Sequence, residues 1–372
     1  MLRKEPERAR TPDHLDPVAS SKPLSSRDSC TEATAGPLAR DLSMTFPGVS
    51  VVIANQNGKE YLARCLPSLM AQSYQDFEVI VVDNGSSDDS AAFLQENFPA
   101  VRLLQNDENR GFAGANNQGI ATAWGKYIVT LNNDTEVDPD WLRSLVAAAN
   151  LHPDIGAFAS LVSLDDKRDV IDSAGLSVSL LGHGCQNRLG QAATTVESSE
   201  EVFGVCAAAA MYRKDLFDDV GLFDEDFFAY YEDVDLAWRA RLRGWRSILV
   251  PQAVVYHVHS ATGGRGSHFK KRMMARNRVW AILKNYPFPG LLLFAPLIIA
   301  YEAAVACLGL LSGNPSSWLG LWQGIRGSVA ALEKRARIQS GRLVSLRELM
   351  PLMCGFREPF SSLLSQRRTG RL

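Results

Sequence analysis

The chain lacks an unbroken apolar run near its beginning; a secretory signal needs roughly 7 to 15 such residues, and none occurs before Val49. Residues 1–45 are instead rich in Ser, Thr, Pro, Arg and Glu, with neither the alternation of a strand nor the period of a helix. They read as a disordered leader. Cysteine is sparse and scattered: Cys30, Cys65, Cys185, Cys206, Cys307 and Cys354 form no C-x-x-C pair, which argues against a zinc knuckle or a disulfide framework. Both features point to a reducing cytoplasm. No G-x-G-x-x-G follows the first apolar strand and no G-x-x-x-x-G-K-[ST] occurs anywhere, so dinucleotide and P-loop readings lose their main support. Charge is also near balance, 39 Lys and Arg against 41 Asp and Glu for a net of −2, and no nucleic-acid partner is expected.

What is present is an alternation. The β-branched run Val49–Ile53 leads through an Asn/Gly turn into helically spaced apolar residues from Glu60 to Met70. Val79–Val82 ends at Asp83-Asn84-Gly85-Ser86, Val101–Leu104 precedes Asn106-Asp107, and Tyr127–Leu131 runs into Asn132-Asn133-Asp134. Near-continuous apolar strands separated by helical stretches indicate an α/β domain with a mainly parallel sheet covered on both faces. Polar clusters fall at the carboxyl ends of these strands, the edge where open α/β sheets bind ligands. Beyond Pro153 the order loosens into polar loops at Asp165–Arg168 and Ala192–Glu201, then returns with a helix around Lys214–Val220.

Three clusters offer chemistry. Asp83, at a strand tip before Gly and Ser, suits a nucleobase imide, or else an Asx turn at Ser86–Asp89. Asn132-Asn133-Asp134 suits a divalent cation against phosphate oxygens, or else a turn leading to Asp138-Pro139. Glu232-Asp233-Val234-Asp235 follows the aromatic run Phe227-Phe228-Ala229-Tyr230-Tyr231; desolvation there would raise a carboxylate's pKa as a general base requires, or the three acids simply cap a helix. His257 and His259 follow an apolar run near a strand end.

Taken in order, V-S-V-V-I-A-N-Q-N-G, V-V-D-N-G-S-S-D-D-S, N-R-G-F-A-G-A-N-N-Q-G, L-N-N-D, F-D-E-D-F-F-A-Y-Y-E-D-V-D-L-A-W-R and V-V-Y-H resemble the family-2 glycosyltransferases of the GT-A fold, particularly bacterial rhamnosyltransferase-like members. The likeness runs from about Val49 to Gly264. It implies a Rossmann-like, mixed but mainly parallel sheet over residues 46–285 and an inverting sugar transfer from a nucleotide-diphosphate donor, dTDP- or UDP-linked, with rhamnose preferred. By the same resemblance Asn55 in the first turn and Asp83 bind the nucleoside, and the stretch from Arg110 and Gly111 through Asn116 to Gly119 lines nucleotide and sugar. Asn132 and Asp134 stand at the D-x-D metal motif for Mg²⁺ or Mn²⁺, with His257 as a further ligand. Asp233, beside Glu232, is the implied general base, and the implied acceptor is a glycan or a polyprenyl-linked glycan. A non-catalytic nucleotide- or glycan-binding protein on a degenerate transferase domain is the rival reading, motivated by Asn132.

Residues 286–372 read as a helical, basic, membrane-associated segment. Gly290–Leu311 is apolar except for Glu302 and lies between basic flanks, so an interfacial or re-entrant helix pair at the cytoplasmic leaflet is expected rather than a span. Trp318-Leu319-Gly320-Leu321-Trp322 suits the headgroup boundary, and the basic residues beyond it suit anionic lipid.

Overall fold

The strands Val49–Asn55 (β1), Phe77–Asn84 (β2), Arg102–Asn106 (β3) and Tyr127–Leu131 (β4) are joined by three helices, Lys59–Met70 (α1), Ser90–Asn97 (α2) and Gly111–Thr122 (α3). β1 lies between β2 and β4, and β2 carries β3, all parallel. Side chains of a strand point alternately to opposite faces, and β1 shows the consequence: Val49, Val51 and Ile53 enter one core while Val52 enters the other. An unbroken apolar run is what a strand buried on both faces needs. The computed structural model describes residues 46–258 and 267–356; the expected leader at 1–45, His259 and the basic stretch from 357 onward lie outside the described residues. All the described residues fall in one compact unit.

The second half of the sheet is mixed. Thr135–Val137 (β5), helix Trp141–Leu151 (α4), Ile155–Leu164 (β6), Lys167–Ser173 (β7), a hairpin of Leu176–Val178 (β8) and Gly184–Gln186 (β9), Glu201–Val202 (β10) and Ala209–Arg213 (β11) follow in turn. Helices Lys214–Val220 (α5) and Glu232–Leu242 (α6) precede the long strand Arg246–His257 (β12). The sheet order is β10-β12-β6-β11-β4-β1-β2-β3, with β7 added to β6 and β5 to β12. β11 is antiparallel to both neighbours. The expected polar loop at Asp165–Arg168 is the turn of an antiparallel hairpin between β6 and β7, a pairing that the charged Lys167-Arg168-Asp169 start of β7 conceals. The apolar runs Ile248–Val250 and Ala253–Val255 are one strand, shifted in register between Val250 and Val254, where Pro251 supplies no N–H.

Among the described residues, helices His268–Asn285 (α7), Phe288–Leu311 (α8), Ser316–Arg326 (α9) and Ser328–Ser340 (α10), followed by the single turn Leu346–Leu349, close the unit. α7 packs against α6, α9 and α10. The apolar stretch 290–311, expected as an interfacial or re-entrant element, lies within a single 24-residue helix that runs through Pro296. One of its faces joins Phe294, Ile298 and Tyr301 to Trp238 of α6 and Tyr286 of α7 in a third core. Glu302 lies on that face, buried, and Arg278 of α7 grips both its carboxylate oxygens. The acid that reads from sequence as an obstacle to lipid is a buried protein contact. The opposite face leaves Leu292, Leu293, Leu297 and Ile299 exposed, and α9 adds Trp318 and Trp322. Among the described residues, α8 is the one helix long and apolar enough to cross a membrane.

Candidate active site

The carboxyl ends of β1, β2 and β4 share one polar network. Asn55 donates from Nδ2 to Asp83 Oδ1 at 3.0 Å and accepts at Oδ1 from Asn133 Nδ2 at 2.7 Å. Ser86 Oγ also donates to Asp83 Oδ1, and its backbone N–H reaches Oδ2 at 3.4 Å, so Asp83 closes an Asx turn at the strand end. Asn55, only 1% exposed, is thus the hub that orients Asp83 and the Asn132–Asp134 turn. Gly58, between them, has no room for a side chain: a Cβ there would come within 2.5 Å of Asn55 Oδ1.

The amino end of α3 faces the aromatic loop. Asn84 Oδ1 accepts the backbone N–H of Arg110 at 3.0 Å, and Asn84 Nδ2 donates to the Gly111 carbonyl. Gly111 has φ 75° and a Cβ on it would stand 2.4 Å from the Phe228 carbonyl, so both backbone and space require glycine. The Arg110 side chain is exposed. Asn116 is buried and donates to the Phe112 carbonyl of its own helix, while its neighbour Asn117 holds the Phe223 carbonyl and Glu225. Asn116 therefore packs inside α3, and Asn117 ties α3 to the segment that leads into the acidic cluster.

Asp134 and His257 are brought together by the antiparallel pairing of β5 with the end of β12. His257 Nε2 lies 3.2 Å from Asp134 Oδ1 and 3.4 Å from Asn132 Nδ2. That Asp134 oxygen is buried and lacks an aligned hydrogen bond. On the other side of the ring, His257 Nδ1 is 2.8 Å from Asp172 Oδ2, at the end of β7. Burial works against a charged imidazole, but hydrogen bonds and charge from Asp134 and Asp172 outweigh it and raise the His257 pKa to about 9. A carboxylate behind an imidazole fixes its tautomer and makes the outward nitrogen a stronger donor. Among the described residues no group of three or more His, Cys, Asp or Glu is arranged to hold a metal ion. The Asp134 carboxylate, the imidazole once an ion displaces its proton, and the Asn132 carboxamide, whose ends exchange by rotation, nevertheless fit the chemistry of a divalent cation with further oxygen ligands. We expect Asp172→Asn, which keeps the hydrogen bond and loses the charge, to weaken Mn²⁺ binding about 10- to 100-fold. A calorimetric Mn²⁺ titration equal to that of the wild type would remove Asp172 from this role.

The aromatic loop before α6 is held in an uncommon backbone. Phe228, Tyr230 and Tyr231 have φ of 63°, 68° and 73°, a region that bulky residues occupy only under constraint. Asn277 of α7 supplies it by donating to the carbonyls of Phe227, Ala229 and Tyr230. The three acids that follow have three different environments, and they do not form a solvated cap. Asp235 is fully buried between Arg239 at 2.9 Å and Lys284 at 2.8 Å. Burial alone would raise its pKa, but these cations bring it down to about 2. Glu232 is buried with one oxygen unpartnered; desolvation and the charge of Asp233 push its pKa well up. Asp233 is the one residue of this first turn that is not buried. Desolvation raises its pKa to about 6, against backbone N–H donation from Val234 at 2.8 Å and Ala207 at 3.4 Å. Pairs of acids whose surroundings push them apart in this way can divide acid and base roles.

One short segment connects the acids to the metal-type residues. The N–H of Ala207 donates to Asp233, and the carbonyl of the next residue, Ala208, accepts the N–H of Asn132 at 2.8 Å. Burial, and then the charges of Glu232 and Asp134, raise the pKa of the Tyr230 phenol. Asp233 and the cluster of Asn132, Asp134 and His257 are thus linked through two consecutive residues, Ala207 and Ala208. The sequence profile of glycosyl transferase family 2 matches residues 50–221. Over 238 residues, 58% of this chain and 77% of the relative, the sequence is 32% identical to the N-acetylglucosaminyl-diphospho-decaprenol L-rhamnosyltransferase of Mycobacterium tuberculosis. The chain belongs to glycosyl transferase family 2. A poly-beta-1,6-N-acetyl-D-glucosamine synthase of Staphylococcus aureus is 28% identical over 220 residues, and there the chain spans only 51% of the relative. Among solved structures, GalNAc-T7 with UDP, GalNAc and Mn²⁺ superposes at TM-score 0.53 and 17% identity over 65% of this chain and 48% of that one. TarS 1–349 of S. aureus matches at 0.50 and 17% over 87% and 91%. These likenesses show the GT-A fold of a glycosyltransferase.

For this family-2 glycosyltransferase the profile match stops at residue 221, ahead of Glu232, Asp233 and His257. Sequence reasoning missed Asp172, Asn277 and Lys284. Asp172 sits as a lone acid after Val170-Ile171, and Asn277 and Lys284 sit in a strongly basic helix, so no local pattern separates them from surface polar residues.

Proposed function

We propose that this glycosyltransferase moves a sugar, with L-rhamnose preferred, from a dTDP or UDP donor to a polyprenyl-diphosphate-linked glycan, inverting the anomeric carbon. The observation that carries the reading is the link from half-buried Asp233, through Ala207 and Ala208, to Asn132, Asp134 and His257. Asp233 takes the proton of the acceptor hydroxyl as its oxygen bonds to the anomeric carbon. The bond from that carbon to the donor phosphate breaks in line, and the nucleoside diphosphate leaves with the electron pair. Glu232, whose buried, partnerless carboxyl group is kept protonated by desolvation and the charge of Asp233, takes no proton. Asp134 and His257, with Asn132 beside them, would hold a divalent cation, which would supply charge compensation for the leaving diphosphate; an imidazole in the ligand set favours Mn²⁺ over Mg²⁺.

The relative's name supports rhamnose and a lipid-linked acceptor. The exposed apolar face of α8, with Trp318 and Trp322, supports docking on the cytoplasmic leaflet as an interfacial helix. Calorimetry with a panel of nucleotide sugars, in Mn²⁺, in Mg²⁺ and then in excess chelator, tests the donor. We expect one dTDP- or UDP-sugar to bind with metal and to be lost with chelator. Folded protein that binds no member of the panel would end this reading.

A further inference from the structure

Between the amino end of α8 and helix α10 lies an open cavity of about 330 Å³, lined by Phe288, Pro289, Leu332, Arg335, Gln339 and Arg342 among others. Its composition is unusual for this surface. Neighbouring cations are neutralised: Lys334 by Asp224 and Asp226, and Arg243 by Asp219. Among the described residues no carboxylate pairs with Arg335 or Arg342. Arg335 is fixed in place because its Nη1 donates to the carbonyls of Leu283 and Tyr286, closing the end of α7. Burial, and then the charge of Arg342, lower its pKa, as two guanidiniums with no anion between them should. Gln339 is also fixed, its amide donating to the Asn285 carbonyl.

The apolar part of the lining continues outward. Phe288 and Leu332 are 60% and 47% exposed, and the next turn of α8 presents Leu292 and Leu293, both more than half exposed. A cavity lined by two guanidiniums without a carboxylate partner, beside a run of exposed apolar side chains, matches a phosphate carried on a hydrocarbon chain. Guanidinium forks bind phosphate oxygens in pairs, and the volume lies within the range of small-ligand clefts.

We propose that the cavity between α8 and α10 binds the phosphate of an anionic phospholipid through Arg335 and Arg342, its acyl chain lying along Phe288 and Leu332. The bilayer is favoured as the source because the exposed face of α8 would lie on it, with the cavity mouth at headgroup depth. This inference rests on the membrane-docking reading above and adds to it a specific headgroup site.

The test is sedimentation of the full chain with vesicles of phosphatidylcholine alone and of phosphatidylcholine mixed with phosphatidylglycerol. Arg342 is the residue to change, since its guanidinium holds no carboxylate, whereas Arg335 also closes α7. We expect the wild type to bind the mixed vesicles about ten-fold more tightly, and Arg342→Glu to lose that gain while keeping its melting temperature and its binding to phosphatidylcholine. Equal binding of Arg342→Glu and wild type to mixed vesicles overturns the headgroup site while leaving docking intact. Failure of the wild type to bind either vesicle overturns the docking reading itself, and the headgroup site with it. Inorganic phosphate is the control: if it abolishes the phosphatidylglycerol gain at the millimolar level, the cavity is a free-phosphate site and the lipid assignment falls.

Discussion

Asp233→Asn is expected to lower sugar transfer by roughly 10²- to 10⁴-fold, the range a positioned general base contributes, while leaving donor binding within about two-fold of wild type. The carboxamide keeps the size of the side chain, and its single oxygen can still accept from Val234 at the short bond; the Ala207 N–H, which meets the other carboxylate oxygen at 3.4 Å, loses its acceptor, so the change removes the proton affinity and one long hydrogen bond. The pH profile provides an independent reading. With its pKa at about 6, Asp233 is ionised above that value, so wild-type kcat should rise through about pH 6 and level off, and the residual activity of the variant should lack that limb. Stability should move the other way. The folded state holds the Asp233 proton more tightly than an unfolded chain, whose carboxyl titrates near the ordinary value of 3.8. The stabilising protonated form is therefore present below that value and is lost as pH rises through about 6. At neutral pH the wild type carries a half-buried, desolvated charge that the Asn variant lacks, which offsets the lost Ala207 hydrogen bond, so its melting temperature should be about equal. A variant that melts early and loses donor binding as well would mean that Asp233 maintains structure, and the base would have to be sought elsewhere.

Much of this site was legible from residue order because strand ends collect it. β1, β2 and β4 are apolar runs that stop at Asn55, Asp83 and Asn132, and a parallel sheet brings those stops side by side. The division of labour within Glu232-Asp233-Val234-Asp235 was not legible, since it depends on partners far along the chain. Lys284 and Arg239 claim Asp235, burial without a partner neutralises Glu232, and Ala207 N–H meets Asp233. Asp172 was hidden for the same reason: only the hairpin of β6 and β7 carries it to His257. The role of Glu302 was misread because hydropathy assigns a cost to a charge without knowing its partner. Local sequence reports which groups can do chemistry, and long-range pairing decides which of them stay charged.

That partner makes the second large effect predictable. Removing Glu302 strands the Arg278 guanidinium in a dry site, and breaking a buried pair from one side typically costs about 3 to 5 kcal/mol. Glu302→Leu should therefore lower the stability of the chain by an amount in that range, read as an earlier midpoint in a urea melt. The sign is informative: a helix that crossed a bilayer with Glu302 in lipid would gain about 2.5 to 3.5 kcal/mol from the same change. Arg278 lies 3.4 Å from His183 Nδ1, and Tyr231 OH is also 3.4 Å from that nitrogen, so the damage should reach the strained loop that carries Asp233. Replacing both partners, Arg278→Met with Glu302→Leu, removes charge and counter-charge together and should recover most of the loss. Tyr231 then keeps its hydrogen bond from the Gly184 N–H, so activity should recover along with stability. If the double variant regains stability without activity, the Arg278 charge itself positions the Asp233 loop, and the contact between α7 and α8 is part of the catalytic apparatus as well as of the core.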